Sequence, residues 1–350
     1  MKIKQLMCVV MCVVLMLSCF AFSSSAQDEV ITLKAINCNV AGLPSFGGSD
    51  VRGNQRVIGD YIIKNDFDIV AVQEDFGYHK HLRNSLEGYI STNHTGAIPG
   101  GDGLNFFTKD MTIYNETRVQ WNDSYGVVPE GDRLTPKGIL YAVIEIAPGV
   151  YVDFYDIHAD AFETEGSIAA RESNYKQLTT MICDNYEKYD RPIIVTGDFN
   201  AYTHDVGYNS NMLYYFQELC GLKDAWIELH NGGDYEDFSE WYATGMEDWG
   251  NWDSVEKFMY KDGGGYKLEA VDFRYNYIKD EAGNNVSDHA AAECTFNFTV
   301  DPDYTGETGE QPELKVVEKS PFAWLRQVKW VFVVFYIFFS NFNEFIAMIS

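Results

Sequence analysis

Ile193, Ile194 and Val195 form an apolar, strand-forming run that halts at Gly197, and Asp198 and Asn200 follow at once. In an extended chain residues two apart point the same way, so this carboxylate and amide share a face while Phe199 turns to the other. A buried strand that ends by presenting two polar groups side by side holds them still for chemistry. The plainer reading is a Gly-Asp turn. The pattern recurs, and its recurrence is what constrains the fold. Ile31, Leu33, Ala35, Asn37 and Asn39 share one face of a strand over residues 30–40. Over residues 68–74 Glu74 is in phase with Val70 and Val72, and over 151–158 His158 is in phase with Val152 and Phe154. A buried amide needs hydrogen-bond partners, and a buried carboxylate needs a cation or donors. Taken singly, Glu74 also reads as a strand end reaching solvent, and His158 as a satisfied core histidine.

Helical periodicity separates these strands. Ile58, Tyr61 and Ile62 mark an amphipathic helix over residues 51–64, and Ile168, Tyr175, Leu178, Ile182 and Tyr186 mark another over 167–189. Strands over 138–146 and 151–157 form a hairpin around Pro148 and Gly149. Residues 77–135 give weak signals, and residues 211–230 contain a further helix. The acidic, Gly-rich stretch 231–265, with Trp241, Trp249 and Trp252, reads as a surface excursion. A strand over 266–277 carries Asp272. Ser287, Asp288 and His289 then precede a closing strand whose Ala292, Cys294, Phe296 and Phe298 share a face. Strands interrupted by helices, with hairpins between, predict a mixed α/β sandwich.

The strand boundaries thus gather Asn39, Glu74, His158, Asp198, Asn200, Asp272, Asp288 and His289. Hard oxygen ligands of this kind suit Mg²⁺, or Mn²⁺ or Ca²⁺, better than zinc. A cation, a histidine base and several donors are what phosphate-ester hydrolysis requires. The chain resembles the endonuclease/exonuclease/phosphatase superfamily, the DNase I-like fold, in six segments in order. These are residues 37–42, 68–74, 155–161, 195–201, 271–273 and 287–289. The resemblance implies a four-layer α/β/β/α sandwich with its site at one edge of the sheets. Carried over by position, it implies Glu74 as principal Mg²⁺ ligand with Asn39 and Asp288 nearby, and His289 as general base oriented by Asp272. Asp198 and Asn200 would position water and phosphate, and His158 would stabilise developing charge. Asp132 and Lys137, just before the 138–146 strand, look like the Asp/Lys loop of neutral sphingomyelinases, in which the lysine meets the scissile phosphate.

The formal net charge of −26 disfavours a nucleic-acid partner, whose binding draws on Lys and Arg. Residues 1–26 read as a signal peptide: Lys2 and Lys4, an apolar stretch from residue 6 to 22, then Ser24, Ser25 and Ala26. Cys38, Cys183, Cys220 and Cys294 remain after it, with three possible pairings and no zinc-type spacing. The catalytic domain is expected over 27–300, a polar linker over 301–320, and an apolar, membrane-associating segment over 321–350 that either spans or lies in the interface. The expected protein is an exported, cell-surface or extracellular, metal-dependent phosphodiesterase acting on a phospholipid headgroup at a membrane, sphingomyelin first. A DNase-like nuclease shares the catalytic set. An inositol-phosphate phosphatase and a non-catalytic binding module are the remaining alternatives.

Overall fold

The computed structural model describes residues 30–43, 50–98, 100–127, 131–203, 212–238, 253–306, 313–318, and 328, 329, 331, 332 and 335. The expected signal segment, Trp241, Trp249, Trp252 and all but five residues of 321–350 lie outside these. Among the described residues no helix is long and apolar enough to cross a membrane.

Among the described residues, twelve strands form two mixed sheets. The first contains β1 (Ile31–Asn39), β2 (Ile69–Gln73), β3 (Tyr89–Ser91), β4 (Asn105–Lys109), β11 (Tyr266–Asn276) and β12 (Ala291–Val300), in the order β11-β12-β1-β2-β4-β3. The second contains β5 (Thr112–Gln120), β6 (Gly138–Ala147), β7 (Val150–His158), β8 (Ile193–Asp198), β9 (Lys223–Asp224) and β10 (Glu256–Lys261), in the order β5-β6-β7-β8-β10-β9. Each sheet has one parallel pair, β1 with β2 and β7 with β8, and a helix makes each crossover. Helix α1 (Val51–Asn65) is capped by Asp50, whose Oδ1 accepts from Gly53 N at 3.0 Å, and it ends at left-handed Asp66. Helix α3 (Glu165–Tyr189) is capped by Thr164 and ends at left-handed Asp190. Two short α-helices are α2 (His79–Ser85) and α4 (Ala225–His230).

Three apolar clusters define four layers. Ile58 and Ile62 of α1 pack on Ile36, Val70, Val72 and Phe107, the outer face of the first sheet. Tyr175, Leu178 and Ile182 of α3 pack on Val143, Tyr155, Ile193 and Val195, the outer face of the second. Between the sheets lie Leu33, Ala35, Ile69, Phe106, Val152, Phe154, Ile194, Phe258 and Phe296. Each fully buried Leu, Ile, Val or Phe contributes about 1.5–3 kcal/mol.

Along the strands the inward-facing positions change character. Leu33 and Ala35 give way to Asn37 and Asn39, Ile69 and Ala71 to Gln73, Val152 and Phe154 to Asp156 and His158, and Ile194 to Thr196 and Asp198. The first polar layer is linked internally: Gln73 Nε2 donates to Asn37 Oδ1 at 2.7 Å and to Asp156 Oδ1 at 2.6 Å, and Asn37 Nδ2 donates to Gly197 O at 3.0 Å. Burial pushes the Asp156 carboxyl well above its usual range. The second polar layer is the open end of the sandwich.

Two expectations are corrected and one is sharpened. Residues 231–265 are not wholly a surface excursion: Glu256–Lys261 is β10, hydrogen-bonded between β8 and β9 and almost entirely buried. The helix expected within 211–230 is present as α4, and a π-helix (Tyr214–Leu219) and β9 precede it, with Gly221 at φ 65° between those two. Residues 313–318, expected as linker, run along β5: Asn115 N donates to Lys315 O at 2.9 Å and Val317 N to Ile113 O at 3.1 Å. An edge strand leaves backbone groups unpaired, and this segment satisfies them.

Candidate active site

The site is built from the ends of β1, β2, β7, β8 and β10. Asn39 closes β1 and is 2% exposed. Its Nδ2 donates to Asp198 Oδ2 at 3.0 Å and approaches Glu74 Oε1 at 3.3 Å, while its Oδ1 accepts from Ala41 N at 3.1 Å. Glu74 reaches this group by a turn rather than by strand phase. Val70 and Val72, its partners in alternation, face outward under α1. Glu74 adopts φ 57° just past the end of β2, and this left-handed residue swings the carboxylate to the inner side. Such a conformation costs on the order of 1–3 kcal/mol in a non-glycine residue, so the surroundings must hold it. A side chain at Gly42 would lie 2.2 Å from Glu74 O, so only glycine permits that approach.

Four residues that sequence reasoning did not single out lock this turn from behind. Asp75 Oδ2 sits 2.6 Å from His79 Nδ1 and accepts from Asn105 Nδ2 at 2.9 Å. His94 Nε2 lies 2.9 Å from Phe76 O and 3.0 Å from Asp75 O; carbonyls only accept, so this nitrogen carries the proton. Ligand atoms of Asp75, His79 and His94 fall within 4.8 Å of one another. The two rings, however, stack at 4.0 Å and 9°. One ion about 2 Å from each nitrogen cannot lie in both ring planes, so the trio as arranged is a brace.

Asp198 ends β8. Its Oδ1 accepts from Asn200 N at 2.9 Å. Gly197 before it has φ 138°, and a side chain there would lie 2.2 Å from Ile157 O, which explains the glycine in this run. Burial pushes the Asp198 carboxyl up to about 6, against the pull of His289 and Lys137. His158 lies opposite Asp198 in the β7–β8 register, its Nε2 3.4 Å from Asp198 Oδ2. Burial holds the His158 imidazole well below its ordinary range, so it is neutral, and its buried Nδ1 has no hydrogen-bond partner among the described residues.

His289 sits on the loop before β12, tied down where Ser287 Oγ donates to Asn39 O at 2.7 Å and His289 N donates to Ser287 Oγ at 3.1 Å. Its Nδ1 lies 2.5 Å from Glu256 Oε1 and 3.8 Å from Asp198 Oδ2. Glu256, the first residue of β10, is paired with Asp198 in the ladder and fully buried. Burial pulls the His289 pKa down, but the hydrogen bond and charge of Glu256, then the charges of Asp198 and Asp288, more than offset this and raise it to about 10.

The expected partner of His289 is therefore wrong. Asp272 is exposed on β11 opposite Thr295, whereas Asn276 is the residue opposite Ala291 at the His289 end. Four strand residues, about 13 Å, separate the two positions. Glu256→Gln in the metal-free protein is expected to bring the His289 pKa from about 10 down towards its ordinary 6.5, read by NMR titration of the ring. Asp272→Asn should leave it unmoved; a drop with Asp272→Asn alone would return the orienting role to Asp272.

Lys137 pairs with Asp132, and its Nζ lies 3.4 Å from Ala159 O. Asp132 Oδ2 accepts from Ala161 N at 2.9 Å, and Asn200 Nδ2 donates to the same Ala159 carbonyl at 3.1 Å. The ammonium charge reaches the centre, lowering the pKa values of Glu74, His158 and Asp198 against or alongside the effect of burial. Asp288 is exposed at the mouth, and its charge raises the pKa values of Glu74 and His289. Burial itself raises Glu74. Asp198, Glu256 and His289 place ligand atoms within 4.8 Å of one another. Carboxylates crowded in this way suit a hard divalent cation.

No family model matches the chain. It is 28% identical over 275 residues to a sphingomyelinase of Mycobacterium tuberculosis, covering 75% of this chain and 52% of that one. Among solved structures, an endonuclease/exonuclease/phosphatase family protein from Bacteroides thetaiotaomicron superposes with a TM-score of 0.54 at 16% identity, over 80% of this chain and all 100% of that one. The chain has the endonuclease/exonuclease/phosphatase fold, and its curated homologues are sphingomyelinases. It spans about half the length of the curated relatives it matches, 52% of the M. tuberculosis protein. D. rerio TDP2, complexed with a single-strand DNA product, shares the endonuclease/exonuclease/phosphatase fold with a TM-score of 0.54 at 15% identity, over 76% of this chain and 99% of that one. Strand ends that bear polar groups, the feature legible in the sequence, are thus where this fold opens.

Proposed function

We propose that the chain is a divalent-metal-dependent phosphodiesterase that hydrolyses the headgroup ester of a phospholipid, sphingomyelin first. The observation that carries it is the convergence of Glu74, Asn39, Asp198, His158, the Glu256–His289 pair and the Asp132–Lys137 pair at one open end of the sandwich. Glu74 and Asp288 would hold the cation, Mg²⁺ before Mn²⁺ or Ca²⁺, with Asn39 joining them once its amide turns its oxygen in place of its NH₂ towards Glu74. When bound it supplies charge neutralisation on a phosphoryl oxygen.

The chain's own residues account for the rest. His289 gives Nδ1 to Glu256, so Nε2 is the atom that takes a proton from the attacking water. Its pKa of about 10 without metal means that the free site holds an imidazolium, and positive charge near Glu74 and Asp288 favours the neutral base. Asp198, held by Asn39 and Asn200, orients that water. Neutral His158 donates to the phosphoryl group as charge builds, and Lys137 meets a non-bridging oxygen. Water adds to phosphorus, the bond to the lipid alcohol breaks, and the departing oxygen takes up a proton.

Lipid rather than nucleic acid is favoured by the sphingomyelinase homologues, by Lys137 beside the site and by the net charge of −26. A nuclease is the second reading, favoured by the likeness to the DNA-bound TDP2 fold. Export by residues 1–26, a catalytic unit over 27–300 extended by the docked 313–318 segment, and membrane association through 321–350 belong to the same proposal. The test is hydrolysis of sphingomyelin vesicles and of plasmid DNA by the purified full chain, with Mg²⁺ and with EDTA. Metal-dependent release of phosphocholine is expected. DNA cleavage without lipid hydrolysis would overturn the lipid reading.

A further inference from the structure

Cys183 on α3 and Cys220 at the end of the π-helix bring their sulfurs to 3.0 Å, within about an ångström of the 2.05 Å of a disulfide bond. The other two thiols are placed where they cannot pair. Cys294 lies between the sheets opposite Ala35, while Cys38 lies three residues further along β1 on the outer face under α1. Three strand residues are about 10 Å, beyond the about 4.4–6.8 Å between Cα atoms that a disulfide tolerates. Cys220 packs in the cluster on the outer face of the second sheet, with Cys183 partly buried against it, far from both. Of the three pairings open to four cysteines, none is satisfied in full, and one bridge alone fits.

We propose that Cys183 and Cys220 are a disulfide site that clamps α3 to the π-helix around β8. The reaction uses a low-molecular-weight disulfide as oxidant. Partly exposed Cys183 attacks it as thiolate, releasing one thiol and forming a mixed disulfide. Cys220 gives up its proton, attacks Cys183 Sγ and releases the second thiol. The protein loses two protons and two electrons, and the oxidant gains them as two thiols. Lys261, whose Nζ donates to Cys220 O at 2.5 Å, places a cation where the Cys220 thiolate must form. The bridge joins residues 37 apart and encloses β8, Asp198 and Asn200, so it restrains the loop that presents two residues of the site. This inference stands apart from the proposed reaction.

The reduced full chain is incubated with oxidised glutathione, unfolded, alkylated and mapped by mass spectrometry. The expected product is one Cys183–Cys220 cross-link, with Cys38 and Cys294 alkylated. Alkylation of both Cys183 and Cys220, or glutathione left on Cys183, would overturn the proposal. Reduction is expected to lower Tm by roughly 5 °C in the wild type and not in Cys183→Ser. A bridge that forms without moving Tm would overturn the clamp.

Discussion

His289→Ala is expected to lower kcat by about 10²- to 10⁴-fold at saturating Mg²⁺ while leaving the fold in place. The ring stands partly exposed on a loop, so removing it opens no cavity in either apolar layer. Its hydrogen bond to Glu256 fixes which nitrogen is left for water, and His158 does not take over, because it is buried and burial keeps it neutral. Turnover of sphingomyelin vesicles, alongside thermal melts with and without Mg²⁺, separates the two possibilities. A melt like the wild type's with kcat within threefold of it would remove His289 from the base role.

Glu74→Gln is expected to lower kcat about 10³-fold at Mg²⁺ concentrations that saturate the wild type, with partial recovery as metal is raised. Its effect on stability has the opposite sign. Burial raises the Glu74 pKa, so the ionised carboxylate is less favourable in the folded chain than in the unfolded one. A neutral amide of the same shape relieves that, and the metal-free variant should melt at or above the wild-type temperature. Added Mg²⁺ should then raise the Tm of the wild type by mass action and leave the variant nearly unmoved. Equal Mg²⁺-dependent shifts in both proteins would place the cation elsewhere.

Asn39, His158 and Asp198 were legible in the sequence because period-two alternation keeps a polar group on an apolar face only where something satisfies it. Glu74 was legible as a residue but not as a geometry: alternation aims it under α1, and only the left-handed turn brings it inward. Asp272 misled for a related reason. β11 carries a register shift between Ala270 and Asp272, so Leu268 and Ala270 face inward, then Phe273 and Tyr275, and the aspartate falls outside. Glu256 was hidden by its surroundings, six strand residues closing a stretch dominated by acidic, Gly and Trp residues. A signal was present, since Glu256 is in phase with Phe258 and Tyr260, both core residues. The brace of Asp75, His79, His94 and Asn105 spans three separate segments and had no local pattern to read.

The two polar layers at the open end of the sandwich have a consequence for how such a chain diversifies. The reacting groups hang on strand termini whose other ends are anchored in the apolar core, and Gln73, Asn37 and Asp156 separate the two regions. The surfaces that can tell one phosphate ester from another belong to the connections beyond those termini. Rate and selectivity are therefore encoded at different positions, and a mutational library confined to the exposed residues of those connections, sparing His79, His94 and Asp132, would search headgroup preference without disturbing the reaction centre.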